Sequence, residues 1–204
     1  MEQQHPKRTY YPTYDVMSEK KEWDPVTQEV LFSRIHPSDG AILTPDMKRT
    51  LQALAKTLFP SHLGEQTLSL TMVLDQRLTH RKLKAFPKGT DLSKEEIILK
   101  GLTFMEQESI TEHGKTFYML DESIRNKLVR KWRESDGDPS IWAEVHSDLF
   151  FSTVSAEIVK IIYSDPSIWS DIGYGGPAFP RGYYAFGPHQ FDEWEAKPHG
   201  ENFI

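Results

Sequence analysis

Residues 93–105 read SKEEIILKGLTFM, and this stretch carries both the start and the buried face of a helix. Ser93 and Glu96 have the spacing of a capping box, in which each side chain accepts a hydrogen bond from the other residue's backbone N–H. The apolar residues that follow recur at the intervals of one helix face: Ile97, Ile98, Leu102 and Met105. The stretch therefore predicts an amphipathic helix with one side in a core.

Similar signals on both sides of this stretch predict further helices. Residues 44–46, Thr-Pro-Asp, are a start signal for a helix that Pro60 ends. Other helices are predicted over about 65–84, from Asp121 through Trp132, and over 139–162, which would be the longest. We expect an all-α fold with about five helices in a small domain over 41–170. An irregular N-terminal arm over 1–40 and a Gly/Pro/aromatic-rich C-terminal extension over 171–204 complete what we expect to be a single domain overall.

The composition narrows the class of protein. The chain has 204 residues, of which 38% are hydrophobic, enough for one core. Its net charge of −6 offers no bulk attraction to nucleic acid or to an anionic membrane, and we expect neither as a partner. The absence of cysteine excludes disulfides, thiolate nucleophiles and cysteine-bound metals. No apolar stretch is long enough to span a membrane, and neither a signal peptide nor a twin-arginine signal is visible, so we expect a cytoplasmic protein.

The stretch GYGGPAFPRGYYAFGP, residues 173–188, differs from the rest of the chain. Five of its 16 residues are Gly, three are Pro and five are Tyr or Phe. Gly and Pro cost about 1 and about 3 kcal/mol in a helix interior, and Pro removes a donor from a central strand. Fixed turns that present large rings are typical of a contact surface, where aromatic side chains and Arg are enriched. The stretch packs on the protein's own helices, or it forms a partner interface, alone or combined with such packing.

Candidate catalytic groups are scattered. No two of the eight histidines are three or four residues apart, so no helix offers a histidine pair to a metal, and we expect no metal site. The sequence contains neither G-x-S-x-G nor G-x-G-x-x-G. Two alternatives remain open. One is a stand-alone sugar-modifying enzyme that uses His146 or His189 with carboxylates. The other is an adaptor whose basic helix at 125–133 binds an acidic protein, although that helix can also be a solvated face.

The run YSDPSIWSDIGYGGPAFPRGY, residues 163–183, resembles the C-terminal signature of the gluconate 2-dehydrogenase subunit 3 family. These are small subunits that accompany flavin-dependent GMC-type alcohol and sugar dehydrogenases. The matching positions are Tyr163, Pro166, Trp169, Gly173, Tyr174, Gly175, Gly176, Pro177, Pro180, Arg181, Gly182 and Tyr183. A second stretch, LTPDMKRTLQALAKTLFPS at 43–61, is similar to the family's early helix.

The resemblance implies a non-catalytic small subunit in a hetero-oligomer. The large GMC-type subunit would carry FAD and the chemistry on a sugar or polyol, and this chain would bind no cofactor and have no active site of its own. The aromatic extension would then dock on the large subunit. Its expected partner-binding residues are Trp169, Tyr174, Pro177, Phe179, Arg181, Tyr183 and Tyr184.

Overall fold

The computed structural model describes residues 16–38, 40–59, 67–169, 172, 174, 176 and 177. The chain forms two compact units, one made of residues 37–162 and the other of residues 1–36 with 163–204. The described residues contain six α-helices and no strand, which confirms the all-α prediction. No helix within these residues is both long and apolar enough to cross a membrane.

Five α-helices build the unit of residues 37–162. They are α2 (Pro45–Leu58), α3 (Thr67–Thr79), α4 (Lys94–His113), α5 (Glu122–Arg133) and α6 (Ser147–Ile162), with a 3-10 helix at Phe117–Met119. Helix α4 contacts both α2 and α6, and α3 and α5 each contact α2 and α6 as well. The five helices therefore surround a common core. Side chains without any exposed surface fill that core, and they include Leu51, Leu54, Leu74, Ile98, Leu102, Trp132, Phe150 and Ile158.

Helix α4 has the predicted start and the predicted face. The Ser93 hydroxyl accepts from the Glu96 amide at 3.3 Å, and the Glu96 carboxylate accepts from the Ser93 amide at 2.8 Å, so the capping box is complete. Ile97, Ile98, Leu102 and Met105 are all fully buried. The helix ends at His113 and is capped by Gly114, whose φ of 67° is the left-handed conformation that glycine adopts without strain.

The backbones of α4 and α6 approach closely at Gly101. A Cβ atom at this position would lie 1.9 Å from Phe150 Cδ2, so only the missing side chain lets the Phe150 ring lie against α4. Glycine in a helix interior costs about 1 kcal/mol relative to alanine. Here that cost is offset by the packing of a fully buried aromatic ring on the helix.

Two predicted helix boundaries are wrong. Helix α6 begins at Ser147 rather than Pro139, and α4, with 20 residues, is the longest helix described. Residues 138–146 form turns instead, although Ile141, Trp142 and Val145 are buried as the apolar spacing predicted. The predicted helix over 65–84 appears as α3 and ends at Thr79, because the chain then turns with Arg81 at a φ of 53°.

The second unit contains a 3-10 helix at Val16–Glu22, helix α1 (Pro25–Ile35) and a 3-10 helix at Pro166–Ile168. Residues 25–35 lie within the stretch predicted to be an irregular arm. They are helical because Asp24 caps α1: its carboxylate accepts from the Val26 and Thr27 amides at 3.0 and 3.1 Å, and Pro25 supplies a preset first residue. The Thr27 hydroxyl and these amides lower the pKa of Asp24 below its ordinary value.

Candidate functional site

Trp169 anchors the C-terminal part of the second unit. Its side chain is only 4% exposed, and its indole N–H donates to the Tyr163 carbonyl at 3.2 Å. The Tyr174 ring meets the Trp169 ring edge-on with centroids 4.9 Å apart, and the Tyr174 amide donates to the Trp169 carbonyl at 2.8 Å. The chain therefore folds back on Trp169 immediately before Gly176 and Pro177.

Gly176 brings the N-terminal and C-terminal segments of this unit together. Its φ is +94°, a conformation that residues with a side chain rarely adopt. A Cβ atom would also lie 2.7 Å from Val16 Cγ1 and 3.5 Å from Trp23 Cζ2, so the glycine backbone rests directly on the 3-10 helix Val16–Glu22 and the residue after it. Val16 is fully buried. The position thus needs glycine for both its conformation and its contact.

Beside this contact, the 3-10 helix Val16–Glu22 and helix α1 enclose an apolar groove, which we call the α1 groove. Its volume is about 510 Å³, within the range of pockets that hold a small molecule or a few large side chains. Trp23 and Leu31 are buried, whereas Phe32 keeps 64% of its surface exposed. The lining residues are Met17, Lys20, Trp23, Gln28, Glu29, Leu31, Phe32, Ile35 and His36.

Exposed apolar side chains are concentrated in the unit that carries the α1 groove. Among the described residues, five of the ten exposed large hydrophobic side chains belong to it, although it supplies only about a fifth of those residues. These five are Val26, Val30, Phe32, Tyr163 and Ile172. Leu31 is the one residue of α1 that is buried. Val26 and Val30 are four residues apart on α1 and therefore share one face of that helix, and contiguous exposed apolar surface marks interaction sites.

The family model described as Gluconate 2-dehydrogenase subunit 3 matches residues 45–176, well over half of the chain. The chain belongs to this family. No curated protein and no solved structure gives a match. The family's match ends at Gly176, so it includes the packed pair Trp169 and Tyr174 and the glycine that rests on Val16. The α1 groove lies before Pro45 and therefore outside the matched residues.

The family assignment confirms the resemblance, but the predicted partner-binding residues are not tested by it. Trp169 is buried in its own unit, while Tyr174 and Pro177 are half-buried. The remaining four, Phe179, Arg181, Tyr183 and Tyr184, lie outside the described residues. A partner contact for all seven stays a prediction. For Trp169 the structure adds an intramolecular role, which is to position Tyr174.

The structure describes only some of the residues that the two alternative hypotheses name. His146 is exposed just before α6, and His189 lies outside the described residues. Within the described part of the chain, no group of three or more His, Asp or Glu side chains could hold a metal ion.

On α5, Lys131 forms ion pairs with Glu108 and Glu112, and Arg133 pairs with Glu134 at 3.4 Å. Lys127 and Arg130 stay exposed, on a shallow pocket that Glu134 and Asp136 also line.

Reasoning from the sequence missed helix α1, and with it the α1 groove, although a signal for the helix was present. Asp24-Pro25 has the same cap-and-proline form as Thr44-Pro45, which correctly predicted α2. Leu31, Phe32 and Ile35 then follow at helical spacing. What hid the helix is that most of α1 is exposed, so its sequence lacks the contrast between an apolar and a polar face.

Proposed function

We propose that the chain is the non-catalytic small subunit of a heteromeric FAD-dependent dehydrogenase or oxidase of the GMC type that acts on a sugar or polyol. In this proposal the chain binds and stabilises the catalytic flavoprotein. FAD and the reacting groups belong to that partner. The family's name denotes one subunit of gluconate 2-dehydrogenase, and this supports a hetero-oligomer.

The exposed apolar side chains of helix α1 support the proposal independently of the family's name. The unit of residues 1–36 and 163–204 leaves Phe32 exposed in the lining of the α1 groove, and it leaves Val26 and Val30 exposed elsewhere on α1. Covering a phenylalanine side chain on binding contributes about 1.5–3 kcal/mol of transfer free energy. A subunit that works inside a complex has a reason to keep such a surface, and in this proposal the catalytic flavoprotein covers it.

The test is purification of the full tagged chain from cells that also produce a GMC-type flavoprotein. We expect a yellow complex with the absorbance spectrum of bound flavin, whose sugar-oxidising activity declines when the small subunit is removed. A colourless chain, or a complex in which the partner is not a GMC-type flavoprotein, would contradict the proposal.

The contribution of the α1 groove is tested by Phe32→Ser with Met119→Ser as its control. Both side chains are exposed to the same degree, 64% and 62%, but Met119 lies in the other unit. We expect Phe32→Ser to weaken complex formation at least about tenfold, as loss of a hot-spot residue does. Met119→Ser should leave binding unchanged. Equal effects of the two variants would show that the α1 groove is not part of the interface. The proposed small-subunit role would not depend on that result.

A further inference from the structure

A basic region lies where α3, α4 and α6 meet, on the unit of residues 37–162. From Arg77 to Lys88 the chain carries five Lys or Arg residues and neither Asp nor Glu, although its net charge is −6. The amides of Lys94 and Glu95 donate to the carbonyls of Ala85 and Leu83, which holds this segment against the start of α4. We call the side chains of Arg77, Arg81, Lys82, Lys84, Lys94 and Lys160 the basic corner.

The basic corner is organised around one buried carboxylate. Glu157 on α6 is 1% exposed and pairs with Arg77 at 2.8 Å, Lys160 at 2.8 Å and Lys94 at 3.4 Å. Burial disfavours its charge, yet the hydrogen bond from Lys160 and the nearby cations hold the pKa of Glu157 below its ordinary value. These three cations are therefore already arranged around an ionised carboxylate.

The cations of this region exceed the carboxylates that pair with them. Glu157 compensates one of its three cationic partners, and Lys84 pairs with Glu95 at 2.8 Å. Arg81 and Lys82 follow Arg77 in the turn after α3, are exposed, and form no ion pair with any residue that the structure describes. The Arg77 Nε atom is buried without a hydrogen-bond partner in that same part of the chain. The result is a local surplus of positive charge on an acidic protein.

We propose that the basic corner binds a carboxylate-bearing segment of another protein. The inference goes beyond the small-subunit role and does not depend on it. Charge complementarity supports this partner, because Arg81 and Lys82 are exposed cations without an ion pair among the described residues, and both residue types bind carboxylates. Phe86, exposed in the same segment, adds an apolar contact that an acidic peptide with apolar residues would cover.

The probe is a fluorescein-labelled peptide in which glutamate alternates with leucine, titrated with the full chain and followed by anisotropy at low salt. The variant Arg81→Glu/Lys82→Glu should weaken binding about tenfold or more, because two attractive charges become repulsive. The matched control is Lys127→Glu/Arg130→Glu, which changes the net charge equally on the exposed face of α5. It should change the dissociation constant less than about twofold.

A charge-neutral variant and a salt titration test the same interaction. Arg81→Gln/Lys82→Gln removes the charges without adding new ones, and we expect an intermediate loss with unchanged helical circular dichroism. Added salt should weaken binding, since exposed charges are screened within about 8–10 Å. The proposal is overturned if the peptide does not bind, if a glutamine version binds equally well, or if the α5 variant weakens binding as much. It is also overturned if phosphatidylserine-containing vesicles bind the chain and the peptide does not.

Discussion

The indole N–H of Trp142 donates to the Glu108 carboxylate at 2.6 Å, and this bond joins α4 to the turns before α6. The same carboxylate, which has no exposed surface, accepts from the Trp132 indole, from Lys131 at 2.6 Å and from the Asp138 amide at 2.9 Å. Burial alone would raise the pKa of Glu108, but these four donors hold the pKa below its ordinary value of 4.5. One side chain thus connects α4, α5 and the segment between α5 and α6.

Replacing Glu108 by Gln should destabilise the protein. A carboxamide has a single acceptor oxygen, and its NH₂ group would face N–H donors that are already buried. Breaking a buried charged contact costs about 3–5 kcal/mol. We expect a loss in this range in the free energy of unfolding, measured by urea titration of the full chain at neutral pH. A change below about 1 kcal/mol would contradict the central role of Glu108.

Replacing Glu106 by Gln, two positions earlier on α4, should have the opposite sign. Burial raises the pKa of Glu106, so its charged form is disfavoured in the folded state. Its partners are the Thr50 hydroxyl and the Phe117 amide at 3.1 Å, and a carboxamide can accept from the amide while it donates to the hydroxyl. We expect Glu106→Gln to be equally stable or up to about 1 kcal/mol more stable at neutral pH. That gain should disappear at acidic pH, where the carboxyl is neutral in both states. A loss comparable to that of Glu108→Gln would refute this assignment.

Acidification should destabilise the fold through three buried carboxylates. Despite burial, hydrogen bonds and nearby cations lower the pKa values of Asp75, Glu108 and Glu157 below 3.8, 4.5 and 4.5. The stabilisation from a lowered pKa is fully present above the unfolded-state value and is lost as the pH falls through the folded-state value. We expect the urea midpoint to decline below about pH 4.5. The decline should be shallower in Glu108→Gln, and equal slopes in the two proteins would contradict the assignment.

Gly101→Ala should destabilise the fold even though alanine favours helices. The new Cβ would lie 1.9 Å from Phe150 Cδ2 and 2.3 Å from Cγ, so α4 and α6 must separate. Overpacking of this kind costs about 1–3 kcal/mol, more than the roughly 1 kcal/mol of gained helix propensity. Thermal unfolding of the variant measures the loss. Adding Phe150→Leu should recover part of it if the clash is the cause, and no recovery would point to another reason.

Gly176→Ala should loosen the N-terminal segment of its unit. The variant combines an unfavourable positive φ with a contact of 2.7 Å to Val16 Cγ1. We expect faster hydrogen–deuterium exchange in residues 16–23. Gly89→Ala is the control, because Gly89 has a similar φ of +86° with nothing within 4 Å of a Cβ. It should cost only the backbone strain, about 1 kcal/mol, and leave residues 16–23 unchanged. Equal exchange in wild type and Gly176→Ala would show that this contact is dispensable.

Two predicted helix starts rest on a purely local signal, and both are confirmed. The capping box of Ser93 and Glu96 and the cap of Thr44 both appear as the sequence indicates, because a cap involves residues only three positions apart. The same reasoning fails over 139–146, where apolar spacing typical of a helix occurs in turns. There the Asp138 amide is bonded to Glu108, 30 residues away, and no local pattern reveals that partner.

Local patterns in the sequence by themselves determined the all-α class, most helix starts and the family, because capping, apolar periodicity and the Gly-Tyr-Gly-Gly-Pro motif are read over a few neighbouring residues. Only the tertiary structure decided where α6 begins, why position 176 needs glycine, and that an apolar groove lies beside α1. Each of these depends on atoms that the folded chain brings together: Glu108 bonded to Trp142, Val16 in contact with Gly176, and Met17 lining one groove with Phe32. Such contacts form when the chain closes around a core, and their energy does not appear in any short window of residues.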